Sequence, residues 1–581
     1  MKESWKLIRK LCCGPSVQRI ESINIDGRIF NQPDEIAEKF NHYFVNVAND
    51  LENNLPYSEN SPYQFVRRNN NFLNQFETVT LIECSDAIKS LKNTKQDRDH
   101  ISVELFKKYS EIFLHVICDL INLSFQTGIF PEYCKQAIVM PLHKKGPSNL
   151  VSNYRPITLL PFLSKIFEQC LYTRLFEHAV AHNIFSPQQF GFMKGKSTQD
   201  AIISLTSRIY DCFNEENVFC LNVFVDFQKC FDTIDHEILL GKLALYGVTG
   251  IALSLIENYL HGRYQAVRIG DAVSSPLPIT KGTFQGTKLG PLLCLYFITD
   301  LTYISDVFTP ILYADDTTLS FKFKYTHDIN RICNAELYKF FQWTAANKMS
   351  INYGKDKTYY MIHTYRNIDD NEINLFMNGH RLQRLDQAKF LGVIIDTKLK
   401  FNHHINYIAG KISRSNGIIY KLRQLKMPSS VLKQLYYNLI YSYLNYNVCC
   451  YAATYEIHTS RLFLLQKKAL RNITYSNYLA HTDNLFHSCN ILKFQDIYKL
   501  NVGIYAYNNQ NLFERSHARN TRNANELLPG RARIRAYEFS LFVSAPRIFN
   551  SIPSEIRSAE TRNIFKCRYK KHLLSSYMQS N

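Results

Sequence analysis

The sequence predicts an α+β fold, with a central antiparallel sheet covered by helices and a largely helical region after it. Three observations predict this. Residues 220 to 227, Cys-Leu-Asn-Val-Phe-Val-Asp-Phe, form a short hydrophobic run of the kind that makes a buried strand. Residues 308 to 312 and 317 to 321 are two further runs rich in β-branched and aromatic residues, and the Tyr313-Ala314-Asp315-Asp316 between them reads as a hairpin turn. Long segments on either side repeat their apolar residues at helical spacing.

A chain of 581 residues is too long for one core and should hold about three or four domains, or one large multi-lobed enzyme. Its apolar content, 46%, is that of a globular protein, and lysine plus arginine (68) exceed aspartate plus glutamate (50), a formal charge of +18. Such a positive field points to a polyanionic partner, and 37 tyrosines and 39 phenylalanines offer faces for base stacking as well as core packing. The 15 cysteines form no Cys-x-x-Cys pair and imply a reducing compartment. His481, His487 and Cys489 lie close together but lack the second ligand pair of a zinc site. No signal peptide is recognisable, and the longest apolar run, Pro291 to Ile298, is too short to span a bilayer. These features predict a soluble intracellular protein, in nucleus and cytoplasm, with no membrane partner. They carry no signal for an oligomeric state.

Taken in order, residues 31 to 51 predict an amphipathic helix. Pro33 suits its first turn, Asp34 and Glu35 complement the positive helix end, and Ile36, Phe40, Phe44, Val47 and Leu51 share a face. The asparagine-rich stretch 52 to 72 reads as a linker. A helix from Ser102 to Thr127, ended by Gly128 and Pro131, is expected to bury Val103, Phe106, Ile112, Phe113, Val116, Leu120 and Ile121. A strand over Gln136 to Leu142, the basic turn His143-Lys144-Lys145-Gly146, a loop and strand over Asn153 to Leu160, and a helix over Phe162 to Val180 then form a mixed unit. Beyond the acidic hairpin, His403 to Leu425 predicts a helix with Ile405, Ile408, Ile412, Ile419 and Leu422 on one face and Lys411, Arg414, Lys421 and Arg423 elsewhere. Residues 429 to 508 continue as helices. The tail is dense in arginine: Arg515, Arg519, Arg522, Arg531, Arg533, Arg535, Arg547 and Arg557. It suits sequence-independent binding of nucleic acid, and Arg531 to Arg535 also reads as a weak nuclear-localisation cluster.

The chemistry lies in three acids. Asp226, near the end of a buried strand, costs free energy unless it is paired, bound to metal or satisfied by backbone amides. Asp315 and Asp316 are either ordinary turn residues or metal ligands presented at a hairpin crest. Carboxylates converging from different strands are what a pair of divalent ions, roughly 3.5–4 Å apart, requires for transfer of a nucleotidyl group.

Val225-Asp226-Phe227-Gln228-Lys229-Cys230-Phe231-Asp232-Thr233-Ile234-Asp235-His236, followed by Tyr313-Ala314-Asp315-Asp316, closely resembles motifs A and C of reverse transcriptases, specifically those of non-LTR (LINE-type) retrotransposons. Asn153 to Leu160 with Ser164 to Glu168 resembles the fingers motif, and Gln189-Phe190-Gly191-Phe192 with Gly195-Lys196-Ser197-Thr198 the next block. Gln285-Gly286-Thr287-Lys288-Leu289-Gly290-Pro291 resembles motif B, Asn347 to Asn352 with Lys357-Thr358 motif D, and Phe390-Leu391-Gly392-Val393 the primer-grip turn.

The resemblance implies a right-hand polymerase: an N-terminal helical extension and linker (1–75), α/β fingers (76–220), a palm with antiparallel sheet and packed helices (221–400), a helical thumb with following helices (401–510) and a basic C-terminal extension (511–581). It implies RNA-directed DNA synthesis on an RNA template from a DNA primer and target, with deoxynucleoside triphosphates as substrates. Asp226 and Asp315 are the expected metal ligands, with Asp316 a weaker ligand or a turn residue; all-oxygen ligation favours Mg2+, with Mn2+ as a possible substitute. Phe231 takes the place of an aromatic gate against a ribose 2′-hydroxyl. Gln285 is expected to reach the template–primer side, Gly286 to admit the nucleotide closely, and Arg155 and Lys357 to reach triphosphate oxygens. Phe390, Leu391 and Gly392 form the expected primer grip. Asp232 and Asp235 are not expected to bind metal, and Asp235 reads as a helix N-cap. Three departures stand out: Met193 in place of a usual arginine, Cys230 in place of alanine, and a spacing after Asn352 that leaves Lys355 a rival to Lys357. About 150 residues precede the fingers motif, too few and too helical for an endonuclease, so the expectation is the polymerase portion of a larger element protein, or a truncated copy whose nick comes from elsewhere. The alternative is a catalytically silent, nucleic-acid-binding relic.

Overall fold

A computed structural model describes residues 20–93, 102–366, 373–514 and 526–578. Arg515, Arg519 and Arg522, part of the basic tail, lie outside the described residues. The described chain is mixed α/β. A hairpin, β1 (Ile23–Ile25) and β2 (Arg28–Phe30), leads into α1 (Pro33–Asn53), the expected helix displaced by two residues at each end. Ile36, Phe40, Phe44 and Val47 are buried, and Leu51, at the frayed end, only half so. The following segment is less free than its composition suggests. Asn69 N donates to Leu245 O (2.9 Å) and Leu73 N to Gly247 O (2.7 Å), while Val66 and Phe76 join the core. It is a strap bound along the protein, so the expectation of a linker over 52 to 72 is corrected.

The helix expected over Ser102–Thr127 divides at Tyr109 into α2 (Val103–Lys108) and α3 (Ser110–Thr127). Its buried face also differs from expectation. Val103, Phe106 and Ile121 are inside, but Ile112, Phe113, Val116 and Leu120 are exposed, and Ile117, Cys118, Ser124 and Phe125 take the inner face. The reason is that α3 carries large apolar residues on more than one face, so periodicity alone does not choose between them. Polar anchors choose it: Asn122 exchanges bonds with the backbone of Val79 (2.7 and 3.1 Å), and Cys118 Sγ donates to Val79 O (3.2 Å).

Next come β3 (Gln136–His143), β4 (Tyr154–Leu159), α4 (Phe162–Ala181), α5 (Thr198–Asn214) and β5 (Phe219–Val225). Helices α6 (His236–Leu245) and α7 (Gly250–Leu260) precede β6 (Arg263–Ile269), β7 (Ala272–Val273) and β8 (Leu277–Ile279). Then follow α8 (Leu289–Ile298), β9 (Thr309–Tyr313), β10 (Asp316–Phe323), α9 (His327–Ala346) and β11 (Tyr359–His363). One sheet, in the order β4, β3, β6, β7 with β8 also on β6, carries α1 on one face. In the other, β5 lies between antiparallel β10 and β11, and β9 closes the edge beside β10. A short strand at Gln383–Arg384 joins β11 in parallel, so this second sheet is mixed where a purely antiparallel one was expected.

All seven residues of β5 are buried. Side chains alternate between the two faces of a strand. Phe219, Leu221, Val223 and Val225 accordingly enter a core shared with α4, α6, α7, α8 and α9, while Cys220 and Phe224 enter a second core with α5 and the later helices. That second core is completed by α10 (Asn402–Gln424), which buries Ile405, Ile408, Ile412, Ile419 and Leu422 as expected, and by α11 (Glu456–Ile473) and α12 (Phe494–Asn508). The C-terminal arginines are partly absorbed by the fold: Arg533 donates to Asn214 O (2.8 Å) and Glu215 O (2.9 Å), and Arg535 lies over the Tyr455 ring. No helix of the described residues is long and apolar enough to cross a membrane.

A wholly buried ion pair joins three helices of the first core. Lys242 on α6 donates to Asp300 Oδ1 (2.7 Å) and to Phe297 O (2.6 Å), and Trp343 on α9 donates to Asp300 Oδ2 (3.1 Å). Removing one member leaves the other charge stranded. Asp300→Ala is therefore expected to cost about 3–5 kcal/mol, read as a fall in the urea midpoint, whereas Lys242→Met combined with Asp300→Leu should recover most of it. A loss below about 1 kcal/mol for the single variant would contradict this account of the pair.

Candidate active site

The register of the second sheet brings the acids to one end. Thr317 pairs with Val225, so the β9–β10 turn projects past the end of β5, where Asp226 leaves the ladder. Asp316 faces Tyr313 across the hairpin, and Ala314 takes a left-handed backbone (φ 56°) to close it. Two residues from an earlier loop hold that turn. Gln189 Oε1 accepts from Ala314 N (3.0 Å) and Gly191 N (2.8 Å), and a Cβ on Gly191 would stand 2.2 Å from Ala314 N. Only glycine permits that approach.

Asp226 is anchored from the segment before β11. Asn352 N donates to its carbonyl (2.8 Å), and its Oδ2 accepts from Asn352 Nδ2 (2.8 Å) and Lys357 Nζ (2.9 Å). Lys357, for which Lys355 stood as the rival motif D lysine, thus pairs with Asp226. Asp315 is half-buried, and burial followed by the charge of Asp226 raises its carboxyl above the ordinary range. The Asp316 side chain reaches the surface, yet its carboxyl is pushed up to about 6, first by loss of water around it, then by Asp315 and Asp226. With Asp226 beside them, Asp315 and Asp316 form a site in which the ionised state is electrostatically disfavoured.

A basic rim faces them. Burial, then Arg155 and Lys357, depress the ammonium of Lys144, and Lys144 in turn pulls the carboxyls of Asp315 and Asp316 down. Arg155, exposed on β4, does the same to Asp315. Phe231 is half-buried and meets Phe192 edge-on (6.2 Å). Its carbonyl accepts from Thr283 N (2.7 Å), which ties the loop after β5 to the segment leading into α8. In that segment Gln285 O accepts from Thr158 N (2.9 Å), and Gly286 has φ 99°, a backbone that glycine adopts readily. Gln285 Nε2 donates to Asp232 Oδ1 (2.7 Å), and burial pushes the Asp232 carboxyl up to about 6. Asp235 caps α6 through Ile238 N (3.1 Å), as expected, and pairs with Lys348 (2.8 Å).

Phe390, Leu391 and Gly392 end a separate hairpin, Gln387–Phe390 with Val393–Asp396. Phe390 is buried against Phe224 (5.7 Å), and Tyr446 donates its hydroxyl to Leu391 O (2.7 Å). This turn stands in the second core rather than among the acids. Gln189, Asn352, Lys144 and Asp232 had no site role assigned from sequence. All four stand inside or beside recognisable motifs, but their contacts exist only once distant loops meet.

Among the described residues, no three histidines, cysteines or acids are gathered into a ready-made metal cage. The donor chemistry still suits a hard divalent cation, because the cluster consists of oxygen ligands whose mutual repulsion a cation would relieve. Asp226, Asp315 and Asp316 are the residues that would hold it.

Residues 142–395 match the family model described as reverse transcriptase (RNA-dependent DNA polymerase). This segment is a reverse-transcriptase domain. Every acid, the basic rim and the Phe390 turn lie within it. The chain is 26% identical over 430 residues to "Probable RNA-directed DNA polymerase from transposon BS" of Drosophila melanogaster, covering 71% of this chain and 46% of that protein. It is 25% identical over 469 residues to "RNA-directed DNA polymerase from mobile element jockey" of the same organism, covering 77% and 50%. It is 27% identical over 280 residues to "Retrovirus-related Pol polyprotein from type-1 retrotransposable element R1" of Bradysia coprophila, covering 48% and 27%. The chain spans about half the length of the first two relatives or less. All three relatives are described as polymerases or polyproteins of transposable elements.

A carboxyl raised in the folded state favours its protonated form there, so it lowers stability as pH climbs from the unfolded value near 4 through about 6. In EDTA, Asp316→Asn should therefore melt at a higher temperature than the unaltered protein at pH 7.5, and the gap should close at pH 4. An equal melting temperature across that range would remove the repulsion argument.

Proposed function

We propose that the chain is an RNA-directed DNA polymerase that adds deoxynucleotides to a primer 3′-hydroxyl, in the setting of target-primed synthesis of a retrotransposon. The observation that carries this reading is the meeting of Asp226 with Asp315 and Asp316, the latter two raised by loss of water and by the charge of Asp226, opposite Lys144, Arg155 and Lys357. Acids and bases in that opposition suit a polyphosphate whose reacting end must be activated and whose leaving end must be neutralised. A divalent cation held by the three acids, Mg2+ or in its place Mn2+, would supply Lewis-acid stabilisation of the phosphoryl oxygens.

The chain's own residues divide the remaining work. Arg155 offers a forked contact to phosphate oxygens, and Lys144 and Lys357 offer point charges. The bulk of the Phe231 ring would oppose a 2′-hydroxyl, and Gln285 and Gly286, joined to the same loop through Thr283 and Asp232, would border the nucleotide. Phe390, Leu391 and Gly392 would hold the primer. In this reading the sheet of β3, β4 and β6 belongs to fingers (76–220), with β6 supplied from the later sequence, and the sheet around β5 is the palm (221–400). The helices from α10 onward are the thumb (401–510), and the C-terminal arginines extend the nucleic-acid surface. RNA template and DNA primer are the macromolecular partners.

Primer extension on poly(rA)–oligo(dT) with Mg2+ tests the reading. Synthesis is expected from the unaltered chain, and Asp315→Ala or Asp226→Ala should lower kcat by about a thousandfold, the worth of roughly 4 kcal/mol at the transition state. A well-folded protein with no synthesis would leave the relic as the better description. Phe231→Ala should admit ribonucleotides, and unchanged selection between dTTP and UTP would remove the gate.

A further inference from the structure

Asp232 lies six residues past Asp226 and is not placed to join the acid cluster. Its carboxylate instead accepts from Gln285 Nε2 at 2.7 Å. An ionised carboxylate has no proton to donate, so it can receive only the amide's N–H. That one bond selects which way the Gln285 amide faces, leaving its carbonyl oxygen and second N–H available. The main chain of Gln285 is pinned separately, through its carbonyl to Thr158 N.

The support around Asp232 is built for closeness. Gly282 runs past it with φ 82°, and a Cβ there would stand 2.6 Å from Asp232 O. This contact lets Gly282 N donate to Ile234 O and Thr283 N to Phe231 O, both at 2.7 Å. Phe231, Asp232, Thr283 and Gln285 are thereby one bonded unit, joining the loop after β5 to the entrance of α8. Lys229 and Arg155 supply the nearby positive charge.

We propose that Asp232 is a positioning residue for the incoming deoxynucleoside triphosphate, holding the Gln285 amide in the orientation that receives the nucleotide's sugar edge. The inference rests on the polymerase reading above. Loss of the bond frees the amide to rotate and weakens nucleotide capture without touching the acids that perform the chemistry.

The test is steady-state primer extension by the full chain on poly(rA)–oligo(dT), comparing Asp232→Ala, Asp232→Asn, Asp232→Glu, Gln285→Ala and the Asp232→Ala/Gln285→Ala double variant. A hydrogen bond to a charged group is worth about 1.5–3 kcal/mol, so Asp232→Ala should raise KM for dTTP at least about tenfold while kcat stays within about threefold. The double variant should be no worse than Gln285→Ala alone. Asp232→Asn, whose amide oxygen still accepts, should lie near the unaltered enzyme, and Asp232→Glu, whose acceptor is displaced by a methylene, should resemble Asp232→Ala. Multiplying effects in the double variant, a loss confined to kcat, or an Asn variant as poor as the Ala variant would each overturn the inference. If Asp232→Ala melts early, the contrast between the Asn and Glu variants decides the matter. An unaltered chain that extends no primer overturns the polymerase reading itself; an active chain with uncoupled Asp232 and Gln285 overturns only this inference.

Discussion

The structure depends on a carboxylate placed at the end of a strand that is buried on both faces. β5 contributes seven buried residues, and Asp226 follows at once. A strand in that position needs partners on both edges and cores on both faces, and it has them in β10, β11 and two apolar clusters. The same ladder fixes where the second pair of acids stands. Because side chains alternate along a strand, moving β10 by one residue against β5 would turn its buried set outward and shift Asp315 and Asp316 relative to Asp226. The apolar cores therefore enforce the register on which the acidic cluster rests.

The site built on this frame is held under electrostatic tension. Loss of water raises both Asp315 and Asp316, Asp226 adds to each and Asp315 to Asp316, while Lys144 acts against the rise in both, Arg155 in Asp315 and Lys357 in Asp316. Lys357 is committed twice, as the partner of Asp226 in this state and as a candidate phosphate contact. Such sharing is economical in a cleft that must receive both a cation and a polyanion, since each arriving charge releases a group that had been held by the other kind.

Much of this was legible in the sequence. The β5 run, the hairpin around Ala314-Asp315, the Asp235 cap and the buried face of α10 all follow from local pattern, because each is decided by residues within a turn or two of one another. The face of α3 was not, since Ile112, Phe113, Val116 and Leu120 are as apolar as the residues actually buried, and the choice was made by Asn122 and Cys118 bonding to Val79. The strap over residues 52 to 72 shows the same limit: Asn69, part of what looks like linker composition, donates its backbone N to Leu245 O and its side-chain amide to Tyr246 O. Within the site, the acids were visible as residue types, but the grip of Gln189 on Ala314 and of Asn352 on Asp226 joins segments far apart in the chain. The sequence motifs contained these residues without revealing what they touch.

The placement of β5 also bears on how the protein is made. Val225 and Phe224 leave the ribosome long before their ladder partners Thr317 and Tyr359. Until those arrive, a strand that is wholly buried in the finished fold has two open edges and no sheet to enter, and non-local pairing of this kind forms slowly. Nascent chains halted between α6 and β9 would expose that strand, making this interval of synthesis the one in which chaperone capture matters most and premature termination yields the most aggregation-prone fragment.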